Sequence, residues 1–224
     1  MSRALADLDG FAAGATFLLG HNLIAFDLPC LLAAAPNLKL LKLPVVDTLR
    51  LNPLAFPRNP YHHLVKHYQD GQLRRGRLND PELDARLTID LFQDQWRTFQ
   101  TLRQSAPDLL AAWHWLTGTG EFAVGFNALF ATLRQNPRPA DSEARALIAD
   151  YLSDKACLPA SRKMLTAPDK PGWPLAYTLA WLSVAGGNSV LPPWVRHHFP
   201  ETGELVRQLR DTACDDPDCP VSDH

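Results

Sequence analysis

A histidine, an asparagine and an aspartate follow a predicted buried strand near the start of the chain. The stretch LLGHNLIAFD, residues 18–27, runs from apolar residues into His21 and Asn22 and ends in Asp27. Parallel α/β sheets carry their chemistry at the carboxyl ends of strands, where loops and helix N-termini meet. We therefore predict a site here. An alternative interpretation is that Asp27 only places a favourable negative charge at the start of the next helix.

The C-terminal residues have the spacing of part of a zinc site. Four residues separate Cys214 from Cys219, and four more separate Cys219 from His224. Thiolate and imidazole are common zinc ligands, but three ligands are an incomplete set, and the intervening aspartates are also typical of a solvated tail. Together with Cys30 and Cys157, these cysteines are too few and too scattered for a secreted disulfide framework. Reduced thiols or a partial metal site are the favoured interpretations.

Basic residues are most concentrated in one connecting segment. Arg74, Arg75 and Arg77 lie close together, with Lys66 nearby. A solvated loop is the ordinary explanation for such a run. If the protein handles DNA, these side chains are the best candidates for contacts with phosphate groups.

The composition limits the classes of protein to consider. The 224 residues are 46% hydrophobic and 21% charged, which is typical of a globular protein that buries a sizeable core. The formal net charge of −2 provides no general basic field, so any contact with nucleic acid must be local. The chain lacks an apolar run of roughly 20 residues and the apolar region of a signal peptide. We predict a cytoplasmic protein with no membrane contact.

Strand and helix signals alternate in the first part of the chain. Apolar residues at helical spacing over 3–14 precede the strand-like ATFLLG, and a helix is predicted to open near Asp27 with Pro29 in its first turn. A second short strand is predicted at Val45 and Val46. This order predicts an α/β layer in which the strands pair in parallel.

Helical patterns dominate the remainder. We predict an extended loop over NPLAFPRNPYHH, which contains three prolines, then a short helix over HHLVKHYQD and the longest helix from Pro81 to about Gln104. Beyond Ser105 strand signals disappear. The predicted organisation is an α/β domain over 1–104, an all-α region over 105–210 and a cysteine-containing tail over 211–224. The tryptophans in the helical segments are expected to pack in the core.

The strand-end stretch resembles the DnaQ-like (DEDD) exonucleases of the ribonuclease H-like superfamily. One motif of that family reads G-H-N-x-x-x-F-D, and it is matched here by Gly20, His21, Asn22, Phe26 and Asp27. VVDTLRL, with Asp47 and Thr48, is similar to the D-T-x-x-L element that follows it. The resemblance implies a partial ribonuclease H-like sheet, with Asp27 as a catalytic metal ligand and His21 and Asn22 beside the substrate. Bracing of the loop is the alternative role for His21 and Asn22, and Asp47 is equally compatible with capping a turn.

The last acid of that family lies on a later helix in an H-x4-D motif, and NDPELDARLT matches it if Asp84 is the acid. The position of the histidine is occupied by Asn79, which cannot act as a general base. One of the histidines at 62, 63 and 67 is a possible replacement; packing or surface positions are the ordinary expectation for them. The family's D-x-E motif has no strand-like match, because DPE at 80–82 and DSE at 141–143 both have the pattern of helix starts.

Beyond these motifs, most of the chain resembles the exonuclease-like N-terminal region of large bacterial RecQ-type helicases. The resemblance implies a 3′-5′ DNA exonuclease module that works with Mg²⁺ or Mn²⁺ when its four carboxylates are complete. With Asp27 and Asp84 alone, we predict that the first metal-binding motif precedes this sequence and that the chain has little nuclease activity. The alternative is a non-catalytic scaffold that binds DNA or a partner.

Overall fold

The computed structural model describes residues 3–60, 62, 64, 80–167, 171–184 and 190–221. This part of the chain is mostly helical and contains one small parallel sheet. The strands are β1 (Leu18–Gly20) and β2 (Val45–Asp47). The α-helices are α1 (Arg3–Phe11), α2 (Leu28–Ala34), α3 (Thr48–Ala55), α4 (Pro81–Ser105), α5 (Pro107–Thr117), α6 (Ala123–Arg134), α7 (Asp141–Leu152), α8 (Leu158–Thr166), α9 (Gly172–Ser183), α10 (Pro193–His198) and α11 (Glu201–Val206).

The sheet consists of two three-residue strands that run in the same direction. Leu18 is opposite Val45, and Gly20 is opposite Asp47. The predicted parallel pairing is therefore confirmed. Its consequence for the site is that the residues following Gly20 and the side chain of Asp47 meet at one edge of the sheet.

The connection between the strands begins with a π-helical turn, Leu23–Asp27, which leads directly into α2. Asp27 is the N-cap residue of α2, and Pro29 lies in the first turn as predicted. Asn22 enters the turn with a left-handed backbone conformation, φ 61°, which asparagine adopts more readily than most residues. The chain thus bends sharply between His21 and the π-helical turn.

The extended loop predicted from Asn52 onward is wrong over its first four residues, because α3 continues to Ala55 and includes Pro53. Leu51 and Leu54 are almost completely buried, and their burial outweighs the one helical hydrogen bond that the proline nitrogen cannot make. The Asn52 side chain also accepts a hydrogen bond from the Gln95 amide of α4 at 2.6 Å. Local proline content could not reveal these contacts with distant elements.

Helix α4 is the longest described helix, as the sequence predicts, and Asp80 caps it by accepting a hydrogen bond from the Leu83 amide at 3.1 Å. Its Phe99 packs edge-on against Trp113 of α5 and Phe130 of α6. A continuous hydrophobic core extends from Leu23 to Leu209 and joins the sheet to the helices. The predicted packing of tryptophans in the core is confirmed for Trp113, Trp115, Trp173, Trp181 and Trp194.

Helix α6 approaches β2 at Gly125. A β-carbon at this position would lie 2.0 Å from the carbonyl oxygen of Val45. Only glycine allows this separation, so the residue sets how closely the helical region packs on the sheet. The helices of the described ranges do not combine the length and apolar character needed to cross a membrane.

Candidate functional site

The buried carboxylate of Asp47 organises the carboxyl edge of the sheet. Oδ1 accepts hydrogen bonds from the amides of Asn22 at 2.9 Å and Leu49 at 3.0 Å, and Oδ2 accepts one from Ile24 at 3.0 Å. Burial raises the pKa of this carboxyl, and the three amides oppose that shift. Asp47 therefore caps α3 and holds the turn after β1. Of the two roles that the sequence allows for this residue, capping is the one observed.

His21 and Thr48 continue this network. The Thr48 hydroxyl donates to the carbonyl oxygen of Gly20 at 3.2 Å, and His21 Nδ1 lies 2.9 Å from the same hydroxyl oxygen. Because the single hydroxyl hydrogen is already used, His21 Nδ1 carries a hydrogen and donates it to Thr48. The interaction holds the imidazole against the start of α3, which is the bracing role.

Helix α4 is attached to the same edge through Gln95. The buried Gln95 amide nitrogen donates to the carbonyl oxygen of Thr48 at 2.8 Å, in addition to its bond with Asn52. Gln95 belongs to none of the motifs recognised in the sequence. The sequence signal was its spacing: Gln95 lies three residues after Phe92 and four before Phe99, on the apolar face of the predicted helix.

Asp27 lies at the surface, where the π-helical turn passes into α2. Partial desolvation raises the pKa of its carboxyl. The neighbouring Phe26 side chain is 63% exposed, so the turn presents an apolar ring and a carboxylate together. This placement gives Asp27 access to a ligand, and it is also compatible with the N-terminal helix charge considered from the sequence.

Asp84 lies in the first turn of α4 and is half-buried. It precedes Gln95 by eleven residues, which corresponds to about 16 Å along the helix axis. Gln95, the residue of α4 that binds Thr48, therefore lies about three helical turns from Asp84. In the described ranges, neither Asp84 nor Asp27 belongs to a group of three or more metal-ligating side chains.

Several predicted site residues lie outside the described residues. They are Asn79, the basic residues Lys66, Arg74, Arg75 and Arg77, the histidines His63 and His67, and His224. The short helix predicted over HHLVKHYQD also falls largely there. His62 is described and buried; its Nδ1 accepts a hydrogen bond from Trp194 Nε1 at 3.1 Å, which is the packing role expected for a histidine.

Three cysteines converge at the other end of the described chain. The sulfur atoms of Cys157, Cys214 and Cys219 all lie within 4.8 Å of one another, and this group could hold a metal ion. The spacing of Cys214 and Cys219 made them candidate zinc ligands, with a solvated tail as the alternative. Cys157 was missed because it is 57 residues before Cys214, and only its position just before the helix-starting LPAS pattern set it apart.

Backbone amides are directed at two of these sulfurs. The Ala160 amide of the first turn of α8 donates to Cys157, whereas burial, the larger effect, raises the pKa of that thiol to about 11. Burial also opposes ionisation of Cys219, but the amides of Val221 and Leu158, with the neighbouring thiols, lower its pKa overall. Ionisation of Cys219 is thus favoured over ionisation of Cys157, and a bound cation would favour the thiolate form of both.

The two sites differ in what the described residues provide. At the sheet edge the amides are bound by the protein's own carboxylate, whereas the cysteine cluster gathers three soft ligands. Comparisons with known families, curated proteins and solved structures give no match for this chain.

Proposed function

We propose that this chain is an exonuclease-like module of a DNA-processing protein, of the 3′-5′ type found beside RecQ-type helicases, and that on its own it binds DNA rather than cleaves it. The observation that carries the proposal is the network in which Asp47 fixes the turn containing His21 and Asn22 at the carboxyl ends of two parallel strands. This is the position at which α/β proteins bind ligands. We also propose a cytoplasmic location.

The described carboxylates by themselves do not fit a two-cation centre. Such a centre needs several carboxylate oxygens around two cations about 3.5–4 Å apart. Within the described residues, neither Asp27 nor Asp84 belongs to a group of three or more candidate ligands. Mg²⁺ or Mn²⁺ is therefore proposed only for a site completed by further carboxylates. For the cysteine cluster, whose ligands are soft, the proposed ion is zinc.

The absence of a group of three or more candidate ligands at Asp27 and Asp84, within the described residues, also favours a second candidate function, a non-catalytic scaffold. The exposed Phe26 and Asp27 on the π-helical turn form a mixed apolar and acidic surface that suits a protein partner as well as a nucleotide. The scaffold could bind DNA or a protein partner; a scaffold that binds only a partner differs from the exonuclease-like module in having no affinity for DNA.

DNA binding separates these two cases. We expect labelled single-stranded and 3′-recessed DNA to bind in a fluorescence anisotropy titration, with an affinity that falls as salt is raised because phosphate contacts release counterions. Replacing Arg74, Arg75 and Arg77 by alanine should weaken binding to both substrates. Arg97→Ala, which removes an exposed arginine paired with Asp94, is the matched control. Absence of salt-dependent binding would favour the scaffold.

A nuclease assay with Mg²⁺ or Mn²⁺ on the same substrates tests catalysis. We expect no shortening of the labelled strand by the chain alone. Asp27→Asn is the informative variant, and Asp7→Asn, an exposed acid on α1, is its control. Cleavage that depends on the cation and disappears only in Asp27→Asn would show that the chain is an active nuclease.

A further inference from the structure

We infer that Cys157, Cys214 and Cys219 bind one zinc ion, and that this ion fastens the C-terminal segment, residues 212–221, to the beginning of α8. The inference uses the zinc proposed for the cluster and adds a ligand from a distant helix and a structural role. It is independent of DNA binding.

The positions of the sulfur atoms suit a single ion. Zinc–sulfur bonds of about 2.3 Å in a tetrahedral site place neighbouring sulfurs about 3.8 Å apart. The three sulfurs here are all within 4.8 Å of one another, so small side-chain adjustments bring them to one zinc. Cys157 comes from the N-cap of α8, whereas Cys214 and Cys219 come from the irregular segment after the last helical turn.

The backbone around the sulfurs supports bound thiolates. The amides of Leu158 and Ala160 belong to the first turn of α8, where backbone N–H groups have no partner inside the helix, and they donate to Cys219 and Cys157. The Val221 amide donates to Cys219 from two residues further along the chain. Outer hydrogen bonds of this kind orient metal ligands and stabilise their charge.

The C-terminal segment has few other attachments. Of residues 212–221, only Cys219 and Val221 are buried, and with Cys157 they form a small apolar cluster separate from the main core. Two hydrogen bonds hold the residues just before the segment. The carbonyl of Leu209 accepts one from the Cys157 amide at 2.8 Å, and the Arg210 side chain donates one to the carbonyl of Lys155 at 3.1 Å. Irregular segments with so small a core commonly depend on a metal or a disulfide.

A metal accounts for the cluster better than a disulfide does. A disulfide would use two of the three sulfurs and leave the third without a role, whereas a metal ion would use all three, which lie within 4.8 Å of one another. Thiolate ligands favour zinc over magnesium or calcium. The described residues supply three of the four ligands that structural zinc takes, and His224, predicted from its spacing, is the residue to test as the fourth.

Metal content tests the ligand set. The full chain, purified under reducing conditions and equilibrated with zinc, should contain one zinc per chain by mass spectrometry of the metal. Cys157→Ala and Cys214→Ser should each lose most of it, whereas the exposed Cys30→Ala is the matched control and should retain it. With cobalt in place of zinc, the thiolate charge-transfer absorption should be lost in the same two variants. Wild-type protein without bound metal, or full occupancy in Cys157→Ala, would overturn the site.

Hydrogen exchange tests the fastening. Amides of residues 212–221 should exchange at least about tenfold faster after zinc is removed by a chelator, in wild type and Cys30→Ala alike. Cys214→Ser, which changes a half-buried residue outside the main core, should exchange fast with or without chelator while its helical circular dichroism stays unchanged. In His224→Ala, these amides should exchange at a rate between those of wild type and Cys214→Ser. Zinc binding that leaves this exchange unaltered would overturn the fastening role but not the DNA-binding function, which is measured separately.

Discussion

The sheet edge and the cysteine cluster share one structural feature, but the side chains that it stabilises differ. At each, a helix begins beside an acidic or ionisable side chain, and backbone amides of the first turn point at it: Leu49 at Asp47, and Ala160 at Cys157. The carboxyl oxygens of Asp47 already accept the hydrogen bonds that these amides offer. The three sulfurs instead lie together without a charged partner among the described residues, an arrangement that a cation would stabilise.

This difference teaches which polar cluster is structural by itself and which can bind a metal ion. A site whose hydrogen-bond donors are satisfied by the protein itself should lose stability when it is mutated, with no response to metal. A site that collects several ligand atoms without a counter-charge should respond to metal and leave the main core intact. Variants at each site can therefore separate the two.

Asp47→Ala should have the largest effect. It leaves the amides of Asn22, Ile24 and Leu49 without their acceptor, and we expect a loss of about 4 kcal/mol in the free energy of unfolding. Urea denaturation measures it, with and without a chelator. Asp47→Asn, of the same shape, should lose less. A loss below about 1 kcal/mol for the alanine variant would mean that the carboxylate does not hold the turn.

Gly125→Ala should destabilise by about 3 kcal/mol, because the added β-carbon meets the backbone of Val45 and either α6 or β2 must move. Gly203→Ala, in α11 with open space around it, is the matched control and should be neutral or slightly stabilising. Thermal denaturation of both variants compares them. Equal midpoints would contradict the close packing of α6 on the sheet.

His114 extends the comparison to a buried network that should respond to pH. Its Nδ1 accepts a hydrogen bond from Arg134 at 2.8 Å, and its other nitrogen lies 3.0 Å from Asn127 Oδ1. Burial, with the neighbouring arginines, lowers its pKa from 6.5 to about 4. Between pH 6.5 and about pH 4, His114 is therefore protonated in the unfolded chain but neutral in the folded chain.

The stability contributed by neutral His114 should be complete above pH 6.5 and should fall as the pH approaches 4, by up to about 3 kcal/mol in total. Urea denaturation at a series of pH values measures this slope. In His114→Gln that part of the slope should disappear, whereas the exposed His197→Gln should keep it. An unchanged slope in His114→Gln would show that other groups cause the loss.

Asp27→Asn should have the smallest effect on stability, within about 0.5 kcal/mol, because the carboxyl is exposed and serves the fold mainly as a helix N-terminal charge. Urea denaturation beside Asp47→Ala makes the contrast direct. A loss comparable with that of Asp47→Ala would place Asp27 in the structural network and remove the reason to consider it for ligand binding.

Local chemistry in the sequence predicted a large part of the fold. The capping aspartate and proline located the start of α4, the alternation of apolar stretches located β1 and β2, and the helical patterns located the second half. The acid pair DSE at 141–143 was recognised as a helix start, and α7 begins there. Each of these features depends on residues within a few positions of one another, which a sequence displays directly.

Tertiary structure alone decided the roles of the polar side chains. Asp47 binds amides more than twenty residues earlier, Gln95 reaches Thr48 across 47 residues, and Cys157 meets Cys214 from 57 residues away. No local periodicity encodes such distances, because they result from tertiary packing, in the main core for Asp47 and Gln95 and in the separate C-terminal cluster for the cysteines. The sequence determined which groups were available for chemistry, and the packing determined which of them meet.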